Sequence, residues 1–144
     1  MRQYRGFTAI GGMHLSKLPQ ALFDNLSLFY NDRDLEIIAF MGHGDMDKKY
    51  KMEALNNRFK KSDVQDAYKR GIISKYQDGK SHYINSPLTL PINIYATQMP
   101  EKWNKIKKED RDAIADWHYD RFLEDKRDIG LEGMQKNQKP GGPA

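Results

Sequence analysis

The chain has 144 residues, of which 38% are hydrophobic and 31% charged, with a net charge of +4. It is long enough for one core, and its eight Tyr, six Phe and two Trp argue against a wholly disordered chain. The lack of cysteine excludes disulfides and thiolate metal sites. No apolar run approaches a membrane span, and the polar start MRQYRGFTAIGGMHL is unlike a secretory signal, so the expectation is a soluble, cytoplasmic protein with no membrane contact.

Taken in order, residues 18–30 place Leu18, Ala21, Leu22, Leu26 and Phe29 at helical spacing, with Pro19 in the first turn. Asn31-Asp32 breaks that helix, Asp32 caps a second one that buries Leu35, Ile38 and Ala39, and Gly42 and Gly44 stop it. A third helix over about 47–59 carries Met52, Leu55 and Phe59 on one side and lysines around the rest. Ser62-Asp63-Val64-Gln65 fits a capping box for a fourth helix, whose inward residues are Val64, Ala67 and Tyr68 and whose end is Gly71.

Asp78-Gly79 then signals a two-residue hairpin turn, because both turn positions need positive φ. That turn pairs Ile73 with Ile84, Lys75 with His82 and Gln77 with Lys80, and it leaves Tyr76 and Tyr83 on the other face. The alternation of residues 88–96 predicts an edge strand, with Pro91 on its far face. Residues 102–129 read as a helix in two parts, with Ile106, Ala113 and Trp117 on one side and Ala115, Tyr119, Phe122 and Ile129 opposite. The Gly/Pro-rich residues 130–144 read as a flexible tail. The predicted fold is mainly α with a small β component (α+β), a single domain over 1–129.

Charge is unevenly spread. Residues 48–80 hold ten basic and four acidic side chains, a local charge of +6, whereas residues 109–128 carry −4. The order of helix, helix, capped helix, glycine and hairpin over residues 34–85 resembles a winged helix-turn-helix domain. The resemblance matches Leu35–Met41 and Met52–Phe59 to the first two helices and Ser62–Arg70 to the recognition helix. Gly71-Ile72-Ile73 enters the wing, Asp78-Gly79-Lys80 forms its tip, and Tyr83-Ile84 returns.

That resemblance implies a recognition helix in the major groove of duplex DNA. Lys48, Lys49, Lys51, Arg58, Lys60 and Lys61 supply positive charge for phosphates, and Lys75, Lys80 and His82 supply wing contacts. Gln65 is the candidate reader of a base edge and serves equally as a capping-box member, while Lys69 and Arg70 reach guanine or phosphate. The same helix carries Asp63, which near the N-terminus favours the dipole, and Asp66, which has no such role and would repel phosphates, a departure that shifts weight towards a protein partner. Tyr76 and Tyr83 suit cross-strand packing better than base stacking.

His14, His43, His82 and His118 are far apart, and no phosphate loop, nucleophile elbow or two-His zinc motif is present, so no metal, cofactor or catalytic residue is expected. The leading expectation is a non-enzymatic nucleic-acid-binding protein, a transcriptional regulator or replication accessory. The alternative is a protein-binding adaptor, inhibitor or assembly component. It would use Trp117, Tyr119 and Phe122, in a segment (113–129) that equally suits a homodimer contact.

Overall fold

The structure, a computed structural model, describes residues 6–42, 46–76 and 82–121. The chain opens on a short hairpin, β1 (Ala9–Ile10) and β2 (Met13–His14), and a single 3-10 turn, Leu15–Lys17. Gly11 and Gly12 connect the strands with φ of +58° and +78°, the conformation that a two-residue hairpin turn demands. Gly11 also lies so close to the backbone of Leu88 that a β-carbon would collide with it, and its carbonyl accepts from the Leu88 N–H at 3.0 Å. This hairpin is absent from the sequence reading.

The helix expected over 18–30 is two short helices, α1 (Gln20–Asp24) and α2 (Leu26–Phe29). They part at Asn25, whose side chain donates to the Ala21 carbonyl at 2.7 Å and to Asp110 at 3.3 Å, so the amide competes with the helical ladder. Helix α3 (Asp32–Phe40) is capped by Asn31, not by Asp32. Asn31 Oδ1 accepts from the Asp34 N–H at 2.8 Å and Asp34 Oδ2 accepts from the Asn31 N–H at 2.9 Å, a reciprocal capping box.

The segment read as a helix from 47 begins instead as a strand, β3 (Tyr50–Lys51), and turns into α4 (Met52–Arg58). Helix α5 (Lys61–Lys69) starts a residue before Ser62; its N-cap is Lys60, with no side-chain cap. The capping box expected at Ser62–Gln65 is therefore not formed, because Ser62 is already inside the helix. At its other end α5 closes as expected on Gly71, at φ +82°. The Ile72 N–H bonds the Ala67 carbonyl at 2.9 Å and the Gly71 N–H bonds that of Tyr68 at 3.1 Å, the double closure typical of a left-handed glycine.

Strands β4 (Ile73–Lys75) and β5 (His82–Asn85) follow, and the three-stranded antiparallel sheet has the order β3-β5-β4. Its register is Ile73 with Asn85, Ser74 with Ile84, and Lys75 with Tyr83, one residue away from the two-residue-turn expectation. A one-residue slip exchanges faces. Lys75, Tyr83 and Tyr50 now share the side turned to α5, and Tyr76, His82 and Lys51 share the other. The expected pair of Gln77 and Lys80, with the Asp78-Gly79 turn, lies outside the described residues.

Residues 88–96 are not a strand: α6 runs Thr89–Gln98. Pro91 is its third residue, where the N–H has no intrahelical acceptor to lose. Leu88, Pro91, Ile92 and Tyr95 are buried at helical spacing, while Leu90 and Ile94, which helped the run look alternating, lie against Gly71. The long C-terminal helix divides into α7 (Pro100–Trp103) and α8, described over 108–121. They separate where Trp103 packs against Phe29, ring centroids 6.4 Å apart, and Ile106 enters the core. The result is an α+β fold in which the helices and the three-stranded sheet share a core around Phe29, Leu55, Ile73 and Tyr95.

Candidate nucleic-acid interface

Helix α5 carries three of the twelve residues singled out for nucleic-acid contact, Lys61, Gln65 and Lys69, and is flanked by two more, Lys60 and Arg70. Val64 and Ala67 are buried. At 100° per residue the opposite side is then Ser62, Gln65, Asp66 and Lys69, all exposed, with Lys61 on the flank beside Tyr68. Tyr68, expected to point inward, is 38% exposed. Its ring lies 6.1 Å from that of Tyr83, and Lys75 Nζ sits 4.7 Å above it, so the aromatic joins α5 to β4 and holds the lysine there. Lys61, Gln65, Tyr68, Lys69 and Lys75 thus belong to one surface. Beside it a groove of about 390 Å³ runs between α5, β4 and α6, lined by Tyr68, Lys69, Lys75, Leu90 and Ile94.

The remaining cations do not all join that surface. Lys51 and His82 are cross-strand neighbours on the far face of the sheet, where Lys49 Nζ stands 4.5 Å over Tyr76. Lys48 precedes β3 and is exposed; Lys60 is exposed at the start of α5; Arg58 ends α4 with its guanidinium 5.5 Å from the Phe59 ring. Lys80 lies outside the described residues. Tyr83 is buried against α5, and its hydroxyl pKa is raised by burial and secondarily by Tyr68, which rules it out as a stacking platform.

Arg70 corrects the sequence reading most sharply. It is not at the surface but 7% exposed, and its guanidinium is used up inside the fold. Nη1 and Nη2 donate to Asp34 Oδ2 and Oδ1 at 2.8 and 2.6 Å, and Nη1 also donates to Tyr95 Oη at 3.2 Å. Nε donates to Asp66 Oδ2 at 2.9 Å. Burial alone would lower its pKa; the hydrogen bonds to Asp34, Tyr95 and Asp66, with the Asp34 charge, outweigh that and raise it. One side chain therefore ties the end of α5 to the first turn of α3 and to α6.

Both opposing acids on α5 have partners. Asp66 is bound by Arg70, and Asp63 lies 3.4 Å from Arg33 of α3. Sequence reasoning missed this network, although half of it was visible as the Asn-x-x-Asp spacing of Asn31 and Asp34.

On α8, Ile114 is fully buried and Trp117 packs against the core, whereas Ala113 and Ala115 are exposed. The helix therefore has one inward stripe, continued by His118, whose Nε2 lies 3.1 Å from the Thr89 carbonyl. Trp117 is partly buried, with one side packed against the core. Tyr119 is 61% exposed, and Phe122 lies outside the described residues. Among the described residues no group of acids and histidines is arranged to hold a metal, and no helix is long and apolar enough to cross a membrane. No family model, curated protein or solved structure matches the chain.

Proposed function

We propose that this is a non-enzymatic, cytoplasmic nucleic-acid-binding protein of winged-helix type. It docks on duplex DNA through the outer face of α5 and the adjoining hairpin, in the manner of a regulator or replication accessory. The observation that carries the reading is the chain order α3, β3, α4, α5, β4, β5 together with the sheet order β3-β5-β4. A helix delivered this way stands proud of the core beside a two-stranded ribbon, and here its uncovered side carries Lys61, Gln65 and Lys69 next to Lys75. The pairing of Asp63 with Arg33 and of Asp66 with Arg70, each cation shared with a second acid, removes part of the objection that carboxylates raise.

The contact uses Lys60, Lys61, Lys69 and Lys75 for phosphates. Four such contacts give a slope of log affinity against log salt near −4, on the order of −0.9 for each phosphate. The test is a titration of random duplex DNA between low and moderate salt. Reversing Lys61, Lys69 and Lys75 to Glu should flatten the slope by about 3. Binding that responds to neither salt nor charge reversal would remove the proposal.

A second reading draws on Tyr119, a large ring standing in solvent among Asp112, Asp116 and Asp120 of α8. It would anchor a basic protein partner or a second copy of the chain. Tyr119→Ala should then release the partner or the dimer and leave the fold unchanged; an unaltered elution profile would dismiss it.

A further inference from the structure

Asp66 is an unusual residue to find on a surface that meets a polyanion. Its side chain is 59% exposed on the outer face of α5, between Ser62 and Lys69 and next to Gln65. Arg70 does not fully cancel it, because the same guanidinium serves the buried carboxylate of Asp34. Two acids thus share one cation, leaving a negative charge in excess at the exposed end. Both contacts from Arg70, Nε at 2.9 Å and Nη2 at 2.8 Å, fall on Oδ2. Among the described residues no hydrogen bond reaches Oδ1.

The carboxylate is also tethered. Arg70, anchored by Asp34 and Tyr95, holds Oδ2, so a partner meeting Oδ1 finds an acceptor already oriented. An acceptor fixed in this place is wrong for phosphate and right for a donor. In the major groove the donors are the exocyclic amines of cytosine and adenine; guanine and thymine present acceptors there. Adenine sets its N7 acceptor beside the amine, which suits an amide such as Gln65 and repels a carboxylate, whereas cytosine offers the amine alone.

We propose that Asp66 reads a cytosine, accepting a hydrogen bond from its N4 amine through Oδ1. Arg70 acts as the positioning residue and Gln65 contacts the neighbouring step. The inference rests on the nucleic-acid reading above and adds the base identity.

The experiment is selection from a randomised duplex pool with the full chain, its Asp66→Asn variant and its Asp66→Ala variant, followed by titration of the enriched duplex. The wild-type protein should enrich one position for cytosine and lose about tenfold in affinity when that C·G pair is replaced by T·A, a change that leaves the protein untouched. Asp66→Ala should relax that position alone and keep the others, Asp66→Asn should shift it from cytosine towards adenine, and the affinity of both for random duplex should rise a few-fold as the excess negative charge is removed. Their melting temperatures serve as the control for folding. Wild-type enrichment without a cytosine position, or a cytosine preference that survives both substitutions, overturns the role of Asp66 while salt-dependent binding stands. No binding to any duplex by any of the three proteins overturns the nucleic-acid reading itself.

Discussion

At the scale of single residues, Asp34 and Arg70 have the largest consequences. Asp34 is 1% exposed, closes the capping box of α3 and takes two hydrogen bonds from Arg70, itself 7% exposed. Removing one member of a buried pair strands the other charge, so Asp34→Ala should cost about 3–5 kcal/mol in urea unfolding. Arg70→Met alone should cost a similar amount, and the double change Asp34→Leu/Arg70→Met should recover a large part of it. The same neighbourhood sets an alkaline limit. Burial, then the charges of Asp34 and Tyr95, raise the pKa of the Tyr30 hydroxyl, and Tyr83 is raised as well. A tyrosine whose folded pKa exceeds its unfolded value, about 10, contributes stability that is whole below that pH and is lost as pH climbs beyond it. Absorbance at 295 nm should show the Tyr30 phenol ionising only as circular dichroism reports unfolding; ionisation well before unfolding would contradict its burial.

Elements follow from their ends more than from their middles. Gly71→Ala forces a β-carbon into the left-handed region at φ +82° and to within 2.7 Å of Ile94 Cδ1, which should cost about 1–2 kcal/mol before any repacking. The hairpin register has its own check, since the chain has no cysteine to compete. Lys75→Cys/Tyr83→Cys should close a disulfide readily, as directly opposed residues lie within bridging distance, and Lys75→Cys/His82→Cys should not. Helix α5 and its glycine stop were legible because Val64, Ala67 and Gly71 obey the 3.6-residue period and the need for positive φ. The ribbon was legible as a ribbon, but not its register, which a single residue in the connection shifts. Helix α6 was misread because an almost wholly apolar run satisfies both periods, and only the packing of Tyr95 and Ile92 decides between them. Burial of Arg70 had no sequence signal at all, for its partner is 36 residues away.

Over the whole molecule, positive charge is divided by the sheet. Lys61, Lys69 and Lys75 lie on the α5 side, and Lys49 and Lys51 lie beyond it. Reversing the first set should therefore weaken duplex binding far more than reversing the second, and equal losses in a mobility shift would mean that the two faces act as one. Acidic α8 takes part in stability through its inward stripe. Trp117→Ala should cost about 2–3 kcal/mol, somewhat below a fully buried tryptophan, while Tyr119→Ala should stay within about 0.5 kcal/mol.

The three-way junction at Arg70 bears on how any survey of this surface would be interpreted. In an alanine scan of the basic residues, Arg70→Ala should stand out as the most damaging change and invite the conclusion that it touches the nucleic acid. Its phenotype would come from a shaft that no longer seats in its socket: α5 loosened from α3 and α6, with every neighbouring reading displaced together. Heat sensitivity accompanying the lost affinity would expose the misattribution.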